Sequence, residues 1–323
     1  MENKFDIDAV ILWVDGNDIN HKNKLIQHLD DQTLINKKVV TNRINQVNEI
    51  EYTVKSIIKF APYIRNIYII TDEQQPDFLK KAETESQYQK VSIIDHKVIF
   101  AGYEQYLPVF NSYTIETMMH RIPGLAEHFV YFNDDMLLFR ETKPEDFFTK
   151  EGLPIIRGQW MRFEAEKITK KLPILLGLKK PKTKGYLGYK RTQDYTAKAL
   201  GYTRKICLNH TPFAMRKSVL EKFYQDNQTI FINNIKNKFR HENLVMVQSV
   251  VAHLEVENNK NVLKNDYQLV RFDSAKKPLS WIKFRFIIHK MNKNKLFLNI
   301  QSLDLYTKTK IAYILNWIDK NVS

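Results

Sequence analysis

Cysteine is almost absent. Cys207 is the only one in 323 residues, which excludes an internal disulfide and any zinc cage built on thiolates. Glycine is scarce as well, nine in all, and none belongs to a GxGxxG run, a Walker loop or a GxSxG elbow. No glycine-rich backbone cradles a phosphate, so a phosphate-handling site here needs a metal together with Arg or His side chains. His241-Glu242 does not begin a zinc-protease motif, because Val245 stands where the second His is required. Cys207 and His210 have ligand-like spacing, but no second pair completes them. Apolar runs fall far short of the ~20 residues of a spanning helix. No charged segment followed by an apolar one opens the chain, so nothing marks it for export, and a soluble protein at work in the cytoplasm is the expectation. Against these absences, 43% hydrophobic and 12% aromatic content is enough for a large core and excludes general disorder.

Charge is distributed unevenly. Residues 1–150 hold 17 basic and 23 acidic side chains, whereas residues 151–323 hold 33 basic and 13 acidic, a net of +20. Nine Lys or Arg lie between Lys167 and Arg191 with no acid before Asp194. Seven more lie between Lys276 and Lys295, interleaved with Trp281, Phe284 and Phe286. Such stretches attract phosphate, on a lipid surface or a charged polysaccharide, unless they merely solubilise the surface. No nucleic-acid motif accompanies them, so a nucleic-acid partner is not expected.

The acidic half alternates strands and helices. Ile7 to Val14 reads as a strand that ends in Asp15-Gly16-Asn17-Asp18. Glu49 to Phe60 carries Ile50, Val54, Ile57 and Ile58 at helical spacing and stops at Ala61-Pro62. Strands follow at Ile67 to Thr71, Val91 to Ile94 and Phe129 to Phe132, and a helix at Asn111 to Arg121. Each strand ends in a carboxylate: Asp15, Asp72, Asp95 and the pair Asp134-Asp135. In an open α/β sheet, ligands bind beyond the carboxyl ends of the strands, so parallel neighbours would bring these acids together. In the basic half, Phe239 to Leu254 and Lys308 to Lys320 read as helices, and Gly185 to Tyr189 as a mobile loop. Asn133-Asp134-Asp135 is similar to acidic pairs that hold a divalent metal against a sugar-nucleotide pyrophosphate; its hard oxygens suit Mg²⁺ or Mn²⁺. The plainer alternative is an Asn-Asp turn.

Ile7 to Asp18 reads IDAVILWVDGND. A second block runs from Arg43 through Glu49-Ile50-Glu51-Tyr52 and Lys55-Ser56 to Ala61-Pro62-Tyr63-Ile64-Arg65-Asn66 and Thr71-Asp72, then Gln75-Pro76. A third holds Leu107 to Ser112, Glu116, His120-Arg121-Ile122, Gly124-Leu125 and Asn133-Asp134-Asp135; His210-Thr211-Pro212 and Phe239-Arg240-His241-Glu242 follow. In this order the blocks resemble the signatures of the Stealth family, over roughly residues 7–254. That family holds bacterial capsular polysaccharide phosphotransferases and the catalytic subunit of the lysosomal-enzyme N-acetylglucosamine-1-phosphotransferase. Gln46-Val47 depart from its common Asp-Asn, and Glu51 and Lys55 from frequent Arg.

The resemblance implies a sugar-1-phosphate transferase with an open, mostly parallel, Rossmann-like sheet flanked by helices, and a basic, more helical C-terminal part. The catalytic domain would cover 1–254, with a basic insertion at about 164–193, and 255–323 would form a C-terminal extension packed on or following it. The donor would be a UDP-sugar of the UDP-GlcNAc or UDP-Gal type, UMP the leaving group, and the acceptor an oligosaccharide or lipid-linked saccharide. Contact with an anionic membrane at its inner face is a further expectation, with Trp281 to Phe286 resting on the lipid. The resemblance points to Asp135, His210 and Arg240 as catalytic residues. It implies Asp134, Asp135 and Glu116 as ligands of Mg²⁺ or Mn²⁺. Donor contacts would come from Asp15, Gly16, Asp18, Arg43, Asp72, Asn111, His120, Arg121, Asn133 and His241. Histidine as a residue type ionises near cellular pH and suits a general base; Arg holds phosphate oxygens bidentately and keeps its charge. Each residue also has a structural alternative: His210 as a cap before Thr-Pro, His120-Arg121 as a helix-dipole complement, Arg240 as basic surface, Trp13 and Cys207 as core. Two other readings stand beside the transferase: a metal-dependent glycosyltransferase that releases UDP, and a polyanion-binding module without turnover.

Overall fold

A computed structural model of the chain describes residues 5–29, 47–80, 86–166, 188–259 and 262–322, with the isolated positions 169, 172, 175 and 176. Its centre is a five-stranded sheet. Strands β1 (Ile7–Leu12), β2 (Ile64–Thr71), β3 (Val91–Asp95) and β4 (His128–Asn133) are parallel, in the order β3-β2-β1-β4. Each of the four expected strands is present, within a few residues of its expected limits. The antiparallel strand Phe213–Arg216, labelled β8 below, closes the edge beside β4.

β1 is buried on both faces, as parallel strands covered by helices are. One face packs on helix α2 (Glu49–Phe60), whose Ile50, Val54 and Ile57 meet Ile7, Ile11, Ile67 and Phe132. The other face sends Val10, Ile70 and Tyr131 into a core with α3 (Ser112–Met118), α5 (Lys217–Asp226), α6 (Gln228–Ile235) and α7 (Val247–Asn258). Helix α1 (Ile19–Gln27) follows β1 and is capped by the Asp18 carboxylate, which accepts from the Asn20 amide. Asp8, fully buried within β1, accepts from Nε of Arg65 at 3.0 Å and from the amides of Asn66 and Ala126, which locks the entry of β1 to β2 and β4.

Two smaller sheets complete the architecture. β5 (Met136–Leu138) pairs antiparallel with β11 (Phe297–Ile300), which pairs parallel with β10 (Leu269–Phe272). β6 (Ile156–Met161) lies between β7 (Lys205–Leu208) and β9 (Leu263–Lys264). Residues after 254 thus supply strands to both small sheets. Helices α8 (Leu279–Met291) and α9 (Lys308–Asn321) pack on Leu137 and Phe139 of and beside β5. Helix α4 (Tyr189–Ala199) begins where a loop was expected to end; positions 185–187 of that loop lie outside the described residues.

The helix expected over 239–254 starts only at Val247. Buried side chains take the amides upstream: Asn234 Oδ1 accepts from the Val245 amide at 3.0 Å and Thr196 Oγ1 from the Met246 amide at 2.9 Å. Tertiary partners outcompete helix propagation there.

Candidate active site

The strand order reverses at β1: β2 and β3 lie on one side of it and β4 on the other. A crevice opens at such a switch point, beyond the carboxyl ends of β1 and β4. Leu12 and Asn133 are register partners, so the loop after β1 and the turn Asp134-Asp135 leave the sheet side by side.

That turn is held by its backbone. Thr53 Oγ1 on α2 donates to the Asp134 carbonyl at 2.7 Å, and Asn299 Nδ2 on β11 donates to the Asp135 carbonyl at 3.0 Å. Both donors are fully buried. His210 Nε2 stands 3.8 Å from Asp135 Oδ1, and the ring of Tyr189 meets the imidazole edge to face at 5.5 Å. Burial, and then the neighbouring Asp135, push the Asp134 carboxyl up to about 7. Burial also raises Glu49, at the start of α2, well above the usual carboxylate range, and Asp134, Asp135 and Asp304 add to it. Carboxyls crowded in this way favour either a proton or a cation.

The opposite wall is the start of α3 and the segment before α7. Arg240 donates to Ser112 Oγ at 3.0 Å, and its guanidinium lies 4.5 Å from the centre of the Tyr113 ring. Glu116 is buried, which raises its carboxyl; Tyr131 and the charge of Arg240 act in the other direction. The Tyr131 hydroxyl lies 3.0 Å from Glu116 Oε1 and 2.7 Å from Asn133 Oδ1. The hydroxyl proton can serve only one of them; a proton on Glu116, or an Asn133 amide turned to donate from Nδ2, satisfies the set.

The loop after β1 is tied down by Gln74. Its Oε1 accepts from the Asp15 amide at 2.9 Å, while Nε2 donates to the Asp15 carbonyl and to Asp18 Oδ2, each at 3.0 Å. The hydrogen bond from Gln74 also holds Asp18 below its usual pKa. Gly16 is buried in this loop, and Asp15 Oδ1 accepts from the Asn17 amide at 2.8 Å. Burial opposes ionisation of Asp72, but His21, His96 and Lys24 outweigh it and bring its carboxyl down to about 2.

The structure thus gathers Asp134, Asp135, His210, Asn133, Glu116 and Arg240 around the end of β4, with Asp15, Gly16 and Asp18 at the adjoining end of β1. Other expected contacts have different surroundings. Asn111 is buried as the cap of α3, accepting from the Thr114 amide at 3.0 Å. His120 is buried against the ring of Tyr224, and burial brings it down to about 4. Arg121 donates to the carbonyls of Ile99 and Ala101 and lies over Tyr103. His241 is exposed and accepts from the Asn243 amide at 3.3 Å. Arg43 lies outside the described residues.

Sequence reasoning missed Thr53, Gln74 and Asn299. Asn299 carried a signal, a polar residue within the apolar run Phe297-Leu298-Asn299-Ile300; Gln74 and Thr53 carried none.

A divalent metal fits the acidic turn by its chemistry. Two adjacent carboxylates offer hard oxygens, and Asp135 Oδ1 is buried without a hydrogen-bond partner. Among the described residues no three His, Cys, Asp or Glu side chains converge to hold a metal, and Glu116, expected as a third ligand, is not grouped with the pair. Among the described residues Asp134 and Asp135 are the carboxylates that would hold such an ion.

Comparison with known proteins agrees with the sequence blocks. Residues 43–156 match the family model described as Stealth protein CR2, conserved region 2. The chain is 33% identical over 290 residues to the capsular polysaccharide phosphotransferase LcbA of Neisseria meningitidis, covering 86% of this chain and 73% of that protein. It is 28% identical over 316 residues to the capsular polysaccharide phosphotransferase cps1A of Actinobacillus pleuropneumoniae, covering 95% and 80%. To the exopolysaccharide phosphotransferase cps2G of Lactiplantibacillus plantarum it is 43% identical over 150 residues, covering 46% of this chain and 41% of that one.

Proposed function

The chain belongs to the Stealth family, and from that premise we propose that it transfers a sugar-1-phosphate from a UDP-sugar to a saccharide hydroxyl in capsular or cell-surface polysaccharide biosynthesis. The observation that carries this reading is the juxtaposition of His210 and Asp135, 3.8 Å apart at the mouth of the sheet's switch point.

The acceptor hydroxyl attacks the phosphorus that bears the sugar. His210 takes the hydroxyl proton, and the nearby charge of Asp135 stabilises the imidazolium that forms. The P–O bond to the nucleotide's phosphate breaks, UMP leaves with that oxygen, and a phosphodiester forms. The bond at the anomeric carbon is untouched, so its configuration is retained. Arg240, fixed by Ser112 and stacked on Tyr113, holds the oxygens of the transferring phosphate, whose charge is the principal obstacle to attack. The Asp15–Asp18 loop, braced by Gln74, receives the nucleotide. Mg²⁺ or Mn²⁺ held by Asp134 and Asp135 would neutralise the pyrophosphate and favour departure of UMP.

UDP-GlcNAc and UDP-Gal are the donors to try first, with an oligosaccharide or lipid-linked saccharide as acceptor, and the inner face of the plasma membrane is the proposed place of work. Among the described residues no helix is long and apolar enough to cross a membrane. The test is to incubate the protein with donor, metal and acceptor and identify the nucleotide formed. UMP with a new phosphodiester phosphorus resonance supports the reading. UDP without that resonance means glycosyl transfer at the anomeric carbon and overturns it.

A further inference from the structure

Helix α8 exposes an apolar stripe. Phe284, Ile287, Ile288 and Met291 are 59%, 58%, 42% and 79% exposed. Their spacing of i, i+3, i+4 and i+7 places them on one face of the helix. The opposite face is fixed. Ile282 and Phe286 are fully buried, and Phe286 stacks on Trp317 at 4.1 Å and meets Phe272 at 4.7 Å. Arg140, just after β5, donates to the Lys290 carbonyl at the end of the helix at 3.1 Å and to the Lys295 carbonyl at 2.7 Å. The helix therefore cannot roll its stripe inward without breaking this core.

The surroundings of the stripe are basic. Lys276, Lys277, Lys283, Lys290 and Lys293 are exposed, and no acid occurs between Asp273 and Asp304. Among the described residues none of these five lysines is paired with a carboxylate. An apolar strip of this kind framed by lysines suits an interface where acyl chains lie beneath anionic headgroups. A second copy of the chain is a poor occupant, because a two-fold contact would bring two basic helices together.

We propose that the face formed by Phe284, Ile287, Ile288 and Met291 rests on an anionic lipid surface, with the flanking lysines among its headgroups. The expectation that Trp281 to Phe286 touch lipid is thereby shifted. Phe286 is core, Trp281 is half-buried beneath Lys277 and Arg285, and the contact moves toward the C-terminal end of the helix. The same core holds Leu137 and Phe139, so docking would orient the strand that follows the Asp134-Asp135 turn.

The full chain is tested by co-sedimentation with phosphatidylcholine vesicles, with and without phosphatidylglycerol, in the absence of donor and acceptor. Binding is thus read separately from transfer. The wild type should bind the phosphatidylglycerol vesicles and lose binding in high salt. Ile287→Ser/Met291→Ser should weaken binding by at least about tenfold with an unchanged melting temperature, since both side chains are exposed. Lys283→Gln/Lys290→Gln should weaken it as well. Absence of wild-type binding, or full binding by the apolar variant, overturns the proposal. A concentration-dependent dimer in sedimentation velocity that Ile287→Ser/Met291→Ser abolishes also overturns it and assigns the face to self-association.

Discussion

The side-chain amide of Asn299 donates to the carbonyl oxygen of Asp135 at 3.0 Å, across 164 residues of sequence. β11 pairs with β5 at the same place, Asn299 opposite Met136, so the last part of the chain holds the acidic turn in position. Asn299→Ala leaves that carbonyl unsatisfied and should cost about 1–3 kcal/mol. If the bond positions Asp135 for its work, kcat falls at least about tenfold while donor KM changes less. Steady-state kinetics beside a denaturation curve separate the two effects. Lost stability with unchanged kcat would reduce Asn299 to a packing residue.

Asp135 and His210 should behave as one unit. Asp135→Asn and His210→Ala are each expected to lower kcat by roughly 10²–10⁴ with the circular dichroism spectrum intact. The double variant should be scarcely worse than the poorer single one, because either change already removes the charge-stabilised base. Strictly multiplicative losses in the cycle would mean that the 3.8 Å contact has no catalytic consequence.

Glu116 offers a sharper contrast. Its burial favours the neutral acid, and the Tyr131 hydroxyl lies within hydrogen-bond reach of both Glu116 and Asn133. Glu116→Gln keeps shape and hydrogen bonding and should change stability by less than about 1 kcal/mol. Glu116→Ala opens a hole and strands the Tyr131 hydroxyl, at a cost of about 2–3 kcal/mol. Equal losses in the two variants would show that Glu116 is ionised in the folded protein and pairs with Arg240.

How much of this was legible beforehand follows from range. The parallel strands and their terminal acids were readable because β1, β2 and β4 are short apolar runs bounded by turn residues, and α2 carries its apolar face at helical spacing. Small pairings such as β5 with β11 join residues more than 150 positions apart and leave no periodic trace. Buried polar partners behave similarly. Asn299, Gln74 and the Asp8–Arg65 pair are specified by what they meet in space rather than by neighbours in sequence. Asp8 also shows how a signature block mixes duties: the strand that delivers Asp15 to the crevice is itself anchored by a buried carboxylate. Asp8→Ala should cost about 3 kcal/mol through the stranded amides of Asn66 and Ala126, with Arg65 keeping partial access to water.

Two buried histidines resist protonation in the folded protein and oppose its stability in mild acid. Burial brings both His96 and His120 down to about 4, from an unfolded value near ~6.5. Each is neutral when folded, so below pH ~6.5 the unfolded chain binds protons that the folded chain refuses. Stability present at neutral pH is therefore lost as pH falls from ~6.5 toward ~4, on the order of 3 kcal/mol for each histidine. Asp72 acts in the same direction in a lower window. Its folded carboxyl lies at about 2, so its contribution, present above an unfolded value near ~3.9, disappears between ~4 and ~2. Asp134, raised to about 7, and Glu49 take up protons on folding over the range of the histidines and offset their loss, so urea denaturation at pH 7, 5.5 and 4.5 should compare the wild type with His120→Gln. His120→Gln should gain on the wild type as pH falls from 7 to 4.5, since glutamine takes up no proton in the unfolded state. A difference between variant and wild type that is the same at pH 7 and 4.5 would mean that the His120 imidazole reaches water in the folded protein and is packed more loosely than its burial indicates.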